Sequence, residues 1–242
     1  MPSLPRGISA CLFDLDGVLT RTAELHAAAW KQTFDAFLRE RPGDPAPFDD
    51  VADYDAYVDG RPRADGVRSF LASRNIELRE GSVSDPPSLD TVQGLATRKN
   101  QLVLDLIAQR GVAPYEGSLR FLAAVCEAGL ARAVVTSSEN ADAVLRAAGL
   151  LAVFDVRVDG RVARELALPG KPAPDVFLEA ARRLGVAPAN AAVFEDALAG
   201  VRAGRAGAFG LVVGVDRYGQ AVELRASGAD TVVSDLAELI GS

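Results

Sequence analysis

Lysine is the residue this chain has too little of: among 26 basic residues only Lys31, Lys99 and Lys171 are lysines. Histidine is scarcer still, with His26 alone. A chain that uses arginine almost everywhere raises a chemical question at each place where it keeps lysine. The two cysteines, Cys11 and Cys126, both lie in apolar surroundings. They are too few for a disulfide framework and read as buried packing thiols of a reducing compartment. No apolar run reaches the roughly 18 residues of a membrane span. The N-terminal stretch arrives at Asp14 before a signal-peptide pattern is completed, so the expected location is cytoplasmic. A net charge of -7 argues against a general phosphate-backbone binder, so no nucleic acid is expected as partner. Nothing points to a protein partner, and a monomer is expected.

What is present is an ordinary globular composition, 49 % hydrophobic and 24 % charged over 242 residues. That length suits one large domain, or a main domain with an insertion. Short apolar runs read as buried strands: Ile8 to Phe13, Ala131 to Val135, Ala191 to Phe194, Gly210 to Val215 and Thr231 to Val233. Between the later runs lie stretches with helical spacing, Leu119 to Glu127, Ala141 to Ala147, Asp175 to Leu184 and Ala197 to Ala203. Strand alternating with helix implies an α/β fold, a parallel sheet covered on both faces. Gly129, Gly149 and Gly185 stand where helices should stop. Residues 21–112 break this rhythm and read as mostly helical, over Ala23 to Leu38, Asp65 to Ser73 and Thr91 to Gln109. Loops at Arg41 to Asp50 and Glu80 to Ser88 punctuate them. The expected division is a core of residues 1–20 and 113–242 with a helical insertion at 21–112.

The chemistry gathers at strand ends. Phe13-Asp14-Leu15-Asp16-Gly17-Val18 sets two carboxylates just beyond the first strand, at the edge where open parallel sheets bind ligands. Residues two apart on an extended segment point the same way, and Gly17 permits a sharp turn. Two anions held together call for a divalent cation, and all-oxygen ligation suits magnesium. A second acidic pair, Glu195-Asp196, follows another apolar run. Thr136-Ser137-Ser138 follows a third, and Lys171 sits in the stiff loop Gly170-Lys171-Pro172-Ala173-Pro174. Four segments thus bring a nucleophile, hydroxyl donors, a cation and metal ligands to one sheet edge. Phosphoryl transfer is the chemistry that needs this set. Its uncatalysed form requires up to about 10²¹-fold acceleration, and the demand is to neutralise charge on the transferring group.

These segments, in this order, resemble the haloacid dehalogenase-like hydrolase superfamily, in particular its phosphotransferases with a helical cap after the first strand. The resemblance covers essentially the whole chain and implies a Rossmann-like parallel-sheet core. It implies that Asp14 becomes aspartyl phosphate and that Asp16 is the general acid/base. Thr136, Ser137 and Lys171 would bind the phosphate. Asp14, the backbone carbonyl of Asp16, Glu195 and Asp196 would surround one Mg2+. A narrower resemblance, to the beta-phosphoglucomutase family, rests on Asp14 to His26, on Gly60-Arg61-Pro62-Arg63 and on Arg98-Lys99-Asn100. It implies a small phosphorylated sugar as substrate, with beta-glucose 1-phosphate and glucose 6-phosphate interconverted through beta-glucose 1,6-bisphosphate. Thr22, His26, Arg63, Lys99 and Asn140 would then complete the cap and substrate contacts, Arg63 gripping the distal phosphate.

Three positions depart from that pattern. Glu139 stands where a lysine is expected, Ala197 where a serine is expected, and Arg21 replaces an acidic residue. None belongs to the phosphoryl-transfer set, though the first two bear on contacts to sugar hydroxyls. The alternative of the same chemistry is a phosphatase on a small phosphorylated metabolite, in which water discharges the aspartyl phosphate. An alternative of another class is a non-enzymatic phospho-acceptor module, which shares aspartates, magnesium, threonine and lysine but needs no capping insertion. Trp30, at i+4 from His26, reads as packing, and Lys31 as surface.

Overall fold

The computed structural model describes residues 1–43 and 45–241. The chain separates into two compact units, Met1–Arg21 with the residues from Val112 onward, and Thr22–Gly111. The first unit carries six parallel strands: β1 (Ala10–Phe13), β2 (Ala131–Val135), β3 (Val156–Val158), β4 (Ala191–Glu195), β5 (Leu211–Val215) and β6 (Thr231–Val233). They lie in the order β3-β2-β1-β4-β5-β6. β1 is therefore central, in register with β2 from Ala10↔Ala131 to Phe13↔Val134 and with β4 from Ala10↔Ala191 to Phe13↔Phe194. All four of its residues are fully buried, as a strand covered on both faces requires.

Alternation along the strands sends neighbours to opposite faces. Leu12, Ala133 and Val193 join the cluster with Phe177, Val201 and Phe209 on one side. On the other, the Phe13 and Phe194 rings stack at 4.7 Å, with Phe121 edge-on to Phe13 at 6.2 Å. These two stacked rings immediately precede Asp14 and Glu195, so packing of the aromatic face fixes where both carboxylates begin.

Between the strands run α4 (Glu116–Glu127), α5 (Ala141–Ala147), α6 (Gly160–Glu165), α7 (Asp175–Leu184), α8 (Leu198–Ala206) and α9 (Ala221–Ala226). The expected strands and helices all form, with ends displaced by a few residues. Gly185 ends α7 in the left-handed region at φ 70°, which only glycine enters without strain. β3, α6 and α9 were not expected. Charged residues break their short apolar runs: Arg157 in β3, Arg161 and Arg164 in α6, Glu223 and Arg225 in α9. Cys11 is buried as expected, whereas Cys126 is exposed. It falls on the outer side of α4, since the apolar residues flanking it in sequence point to other faces of the helix.

The second unit holds α1 (Ala23–Arg39), α2 (Arg63–Ser73) and α3 (Val92–Arg110), with a short π-helical turn at Tyr54–Val58. Trp30, Phe34, Phe37 and Leu38 recur at helical spacing on α1 and join Phe48, Phe70 and Leu95 in its core. Trp30 stacks on Phe34 at 5.1 Å, and Phe34 lies 4.1 Å from Phe70. Thr91 caps α3, its hydroxyl accepting from Gly94 N at 2.9 Å. Among the described residues no helix is long and apolar enough to cross a membrane.

Candidate active site

β1 pairs with β2 on one side and β4 on the other, and the direction of winding reverses between β1 and β4. The crevice beyond the carboxyl ends of strands at such a reversal is where an open sheet binds ligands. Asp14 follows β1, Thr136 follows β2, and Glu195 is the last residue of β4. Lys171 comes from the loop ahead of α7, which packs across β1, β2 and β3.

Lys171 is the centre of the arrangement. Its side chain is fully buried, and Nζ donates to Asp14 Oδ1 at 2.5 Å and to the Val135 carbonyl at 3.3 Å. It also donates to Glu195 Oε1, whose other oxygen, Oε2, accepts from Ala197 N at 3.1 Å. Burial opposes the ammonium charge, but the Asp14 and Glu195 carboxylates outweigh it and hold Lys171 well above its ordinary value. For Asp14, burial pushes the carboxyl well above the carboxylate range; Lys171 opposes this, while Glu195 and Asp16 add to it.

The Asp16 turn is bound to the neighbouring loop. Thr136 Oγ1 donates to Asp16 Oδ2 at 3.4 Å and accepts from Ser138 N at 3.1 Å. Ser138 Oγ accepts in turn from Asn140 N at 3.2 Å, and Ser137 and Asn140 are half-buried on this loop. Gly17 has φ +90°, and a Cβ there would lie 1.7 Å from Asp196 Oδ2. Glycine is thus required twice, by conformation and by the close approach of a carboxylate. Gly200 does the same for Glu195, whose Oε1 would meet an added Cβ at 1.9 Å.

Asp14, Glu195 and Asp196 each offer a carboxylate oxygen within 4.8 Å of the others. Three carboxylates against one ammonium leave a local excess of negative charge, and hard oxygen donors suit magnesium. These residues fit such an ion.

The cap and substrate candidates, Asn140 apart, belong to the second unit. Lys99 is buried and its Nζ lies 2.9 Å from His26 Nδ1, so α3 and α1 bring the rare lysine and the single histidine together. The same ammonium is 4.9 Å from the Trp30 ring centroid. Arg63, the first residue of α2, donates to Asn100 Oδ1 at 2.6 Å. Thr22 is buried at the N-cap position of α1.

Sequence reasoning set Trp30 aside as packing, and it does pack, yet it also lies beneath Lys99. Arg217 was missed altogether. Its Nε donates to the Gly17 carbonyl at 2.9 Å, and no composition or spacing signal distinguishes it from the many other arginines. Gly200 had one readable signal, a glycine inside a helical stretch, where it is unfavourable without a packing reason.

Comparison with known proteins agrees with this geometry. The model of the haloacid dehalogenase-like hydrolases matches residues 8–207. The chain is 56 % identical to a beta-phosphoglucomutase of Mycobacterium bovis, over 98 % of this chain and 93 % of that one. A beta-phosphoglucomutase structure from Clostridium difficile superimposes with a TM-score of 0.76 at 27 % identity, covering 96 % of this chain and 93 % of the other. The Rhodobacter sphaeroides protein CbbY, solved with xylulose-(1,5)bisphosphate, does so with a TM-score of 0.72 at 27 % identity, covering 96 % of each. With its matched residues, its parallel sheet and its carboxylate–lysine centre at the strand ends, the chain belongs to the haloacid dehalogenase-like hydrolase family.

Proposed function

We propose that this enzyme is a beta-phosphoglucomutase, interconverting beta-glucose 1-phosphate and glucose 6-phosphate through beta-glucose 1,6-bisphosphate. The observation that carries the reading is the high identity with a protein of that activity over nearly the whole length, helical insertion included. On this reading residues 1–20 and 113–242 are the catalytic core and 21–112 the cap.

Asp14 is the nucleophile. One of its carboxylate oxygens bonds to phosphorus as the bond from phosphorus to the leaving sugar oxygen breaks. Asp16 gives its proton to that oxygen. In the second half-reaction it removes the proton of the hydroxyl that takes the phosphoryl group back. Thr136, Ser137 and Lys171 hold the phosphoryl oxygens, and Lys171 offsets their charge. Magnesium, held by Asp14, the Asp16 carbonyl, Glu195 and Asp196, supplies further positive charge beside the transferring group. Arg63 takes the distal phosphate, while Thr22, His26, Lys99 and Asn140 line the sugar side. His26 and Lys99 support the assignment by standing in one polar contact beside an aromatic ring.

The test is incubation with beta-glucose 1-phosphate, magnesium and a trace of beta-glucose 1,6-bisphosphate. Glucose 6-phosphate is the expected product, and chelation of magnesium should abolish its formation. Release of free phosphate in its place would overturn the mutase reading in favour of a sugar-phosphate phosphatase built on the same centre.

A further inference from the structure

Arg217 follows β5 and has only 8 % of its side chain exposed, although it is none of the groups assigned to the phosphoryl group, the metal or the sugar. Its guanidinium is directed at main chain. Nε donates to the Gly17 carbonyl at 2.9 Å, Nη2 to the Val18 carbonyl at 3.4 Å and Nη1 to the Ser234 carbonyl at 2.8 Å. The Asp235 carboxylate lies 3.6 Å from Nη1, and the Tyr115 ring centroid 3.7 Å from the guanidinium carbon. Val18 O also accepts from Ser118 Oγ at 2.6 Å. The backbone of the carboxylate turn is therefore gripped from two other segments, the loop after β5 and the start of α4, while the loop after β6 holds the arginine itself.

A grip of this kind answers a need of the turn. Gly17 gives it the required φ of +90° but no stiffness, because glycine rotates freely about its backbone bonds. A swing of the peptide planes on either side of Gly17 would carry Asp16 away from Thr136. Two successive carbonyls held by one planar fork resist that swing, and a guanidinium presents such a fork where an ammonium does not. A buried cation here is compensated by carbonyls, a carboxylate and a ring.

We propose that Arg217 is a positioning residue for Asp16, holding the turn so that the Asp16 carboxyl meets the leaving oxygen. This rests on the reading of Asp16 as proton donor, and the test separates the two.

Arg217→Met keeps an apolar stem against Tyr115 and removes the donors; Arg217→Lys keeps the charge and one donor group. Single-turnover formation of the phosphoenzyme is measured from two donors on the same preparation, so the ratio of rates does not depend on how much protein has folded. From beta-glucose 1,6-bisphosphate the departing sugar oxygen needs the Asp16 proton. From acetyl phosphate the departing acetate needs none. A general acid contributes about 10²–10⁴-fold, so its misplacement in Arg217→Met should slow the sugar donor at least about tenfold more than acetyl phosphate. Half-saturation by the bisphosphate should change little, and Arg217→Lys should recover part of the loss. An equal effect of the Arg217 substitutions on both donors overturns the proposal. Asp16→Asn is the reference. If it slows both donors equally, the proton-donor reading fails and the proposal falls with it; if it is selective while the Arg217 variants are not, the proposal alone is wrong.

Discussion

Lys171 shows how one residue can be needed by both fold and chemistry. Its ammonium is fully buried between Asp14 and Glu195, and removing one partner of a buried charge cluster strands the others in a medium that cannot solvate them. Because its pKa is raised, the ammonium is present at every pH below its ordinary value of 10.5. Its stabilisation is present below that value as long as its carboxylate partners are ionised, and is lost in stronger alkali as the ammonium deprotonates. Lys171→Met should therefore lower stability by about 3–5 kcal/mol at neutral pH. It should also slow phosphoenzyme formation from acetyl phosphate by about 10²-fold or more. Denaturant melts and acid-quenched phosphoenzyme assays read the two separately. A variant with parental stability and rate would show that the lysine contacts are incidental. At this scale the sequence was legible where a residue was rare: Lys171, Lys99 and His26 stood out because their types are scarce. Arg217 was hidden because its type is abundant.

At the scale of the element, the strand ends do the positioning. The stacked Phe13 and Phe194 rings lock β1 to β4 in register, which sets Asp14 beside Glu195 without any direct bond between them. Apolar runs ending in acidic residues made this readable in advance. The helix that follows β4 was less readable. α8 contains Gly200, where an alanine would meet Glu195 Oε1 at 1.9 Å, so the helix accepts glycine, worth about 1 kcal/mol less than alanine in a helix interior. Gly200→Ala should leave the protein folded while turning Glu195 away from the other carboxylates. Supporting substitutions around a metal typically cost about 10–100-fold in affinity, so the magnesium concentration giving half-maximal rate should rise by a similar factor. An unchanged magnesium requirement would mean that Glu195 plays no part in holding the ion. The elements β3, α6 and α9 lay beyond reading from sequence because charged residues break their short apolar runs, whereas the equally short β6 keeps its valine pair unbroken.

For the whole molecule, the second unit has to add something to a core that already holds Asp14, Lys171 and the Glu195–Asp196 pair. A mutase must hold a bisphosphate by the phosphate that is not moving, and exclude water while it turns over. Arg63 is the residue assigned to that phosphate. Its guanidinium is already oriented, donating to Asn100 Oδ1 at 2.6 Å across α2 and α3. Arg63→Ala should reduce bisphosphate-dependent interconversion by about 10²-fold or more, while phosphoenzyme formation from acetyl phosphate, which has no distal phosphate, stays near the parental rate. Equal losses in both would remove Arg63 from that role. The second unit has its own aromatic core of Trp30, Phe34, Phe48 and Phe70, so this substitution at a half-buried helix start is not expected to unfold it.

The order of apolar runs and acidic turns by itself determined an α/β chain with a helical insertion and a carboxylate-rich strand edge, because strand period, turn chemistry and charge are local properties of the chain. Only the tertiary structure decided that the Lys171 ammonium sits between two particular carboxylates, that Cys126 faces outward, and that Arg217 reaches back 200 residues to the Gly17 carbonyl. Those are meetings between segments far apart in sequence, and their geometry is set by how the sheet and its helices pack.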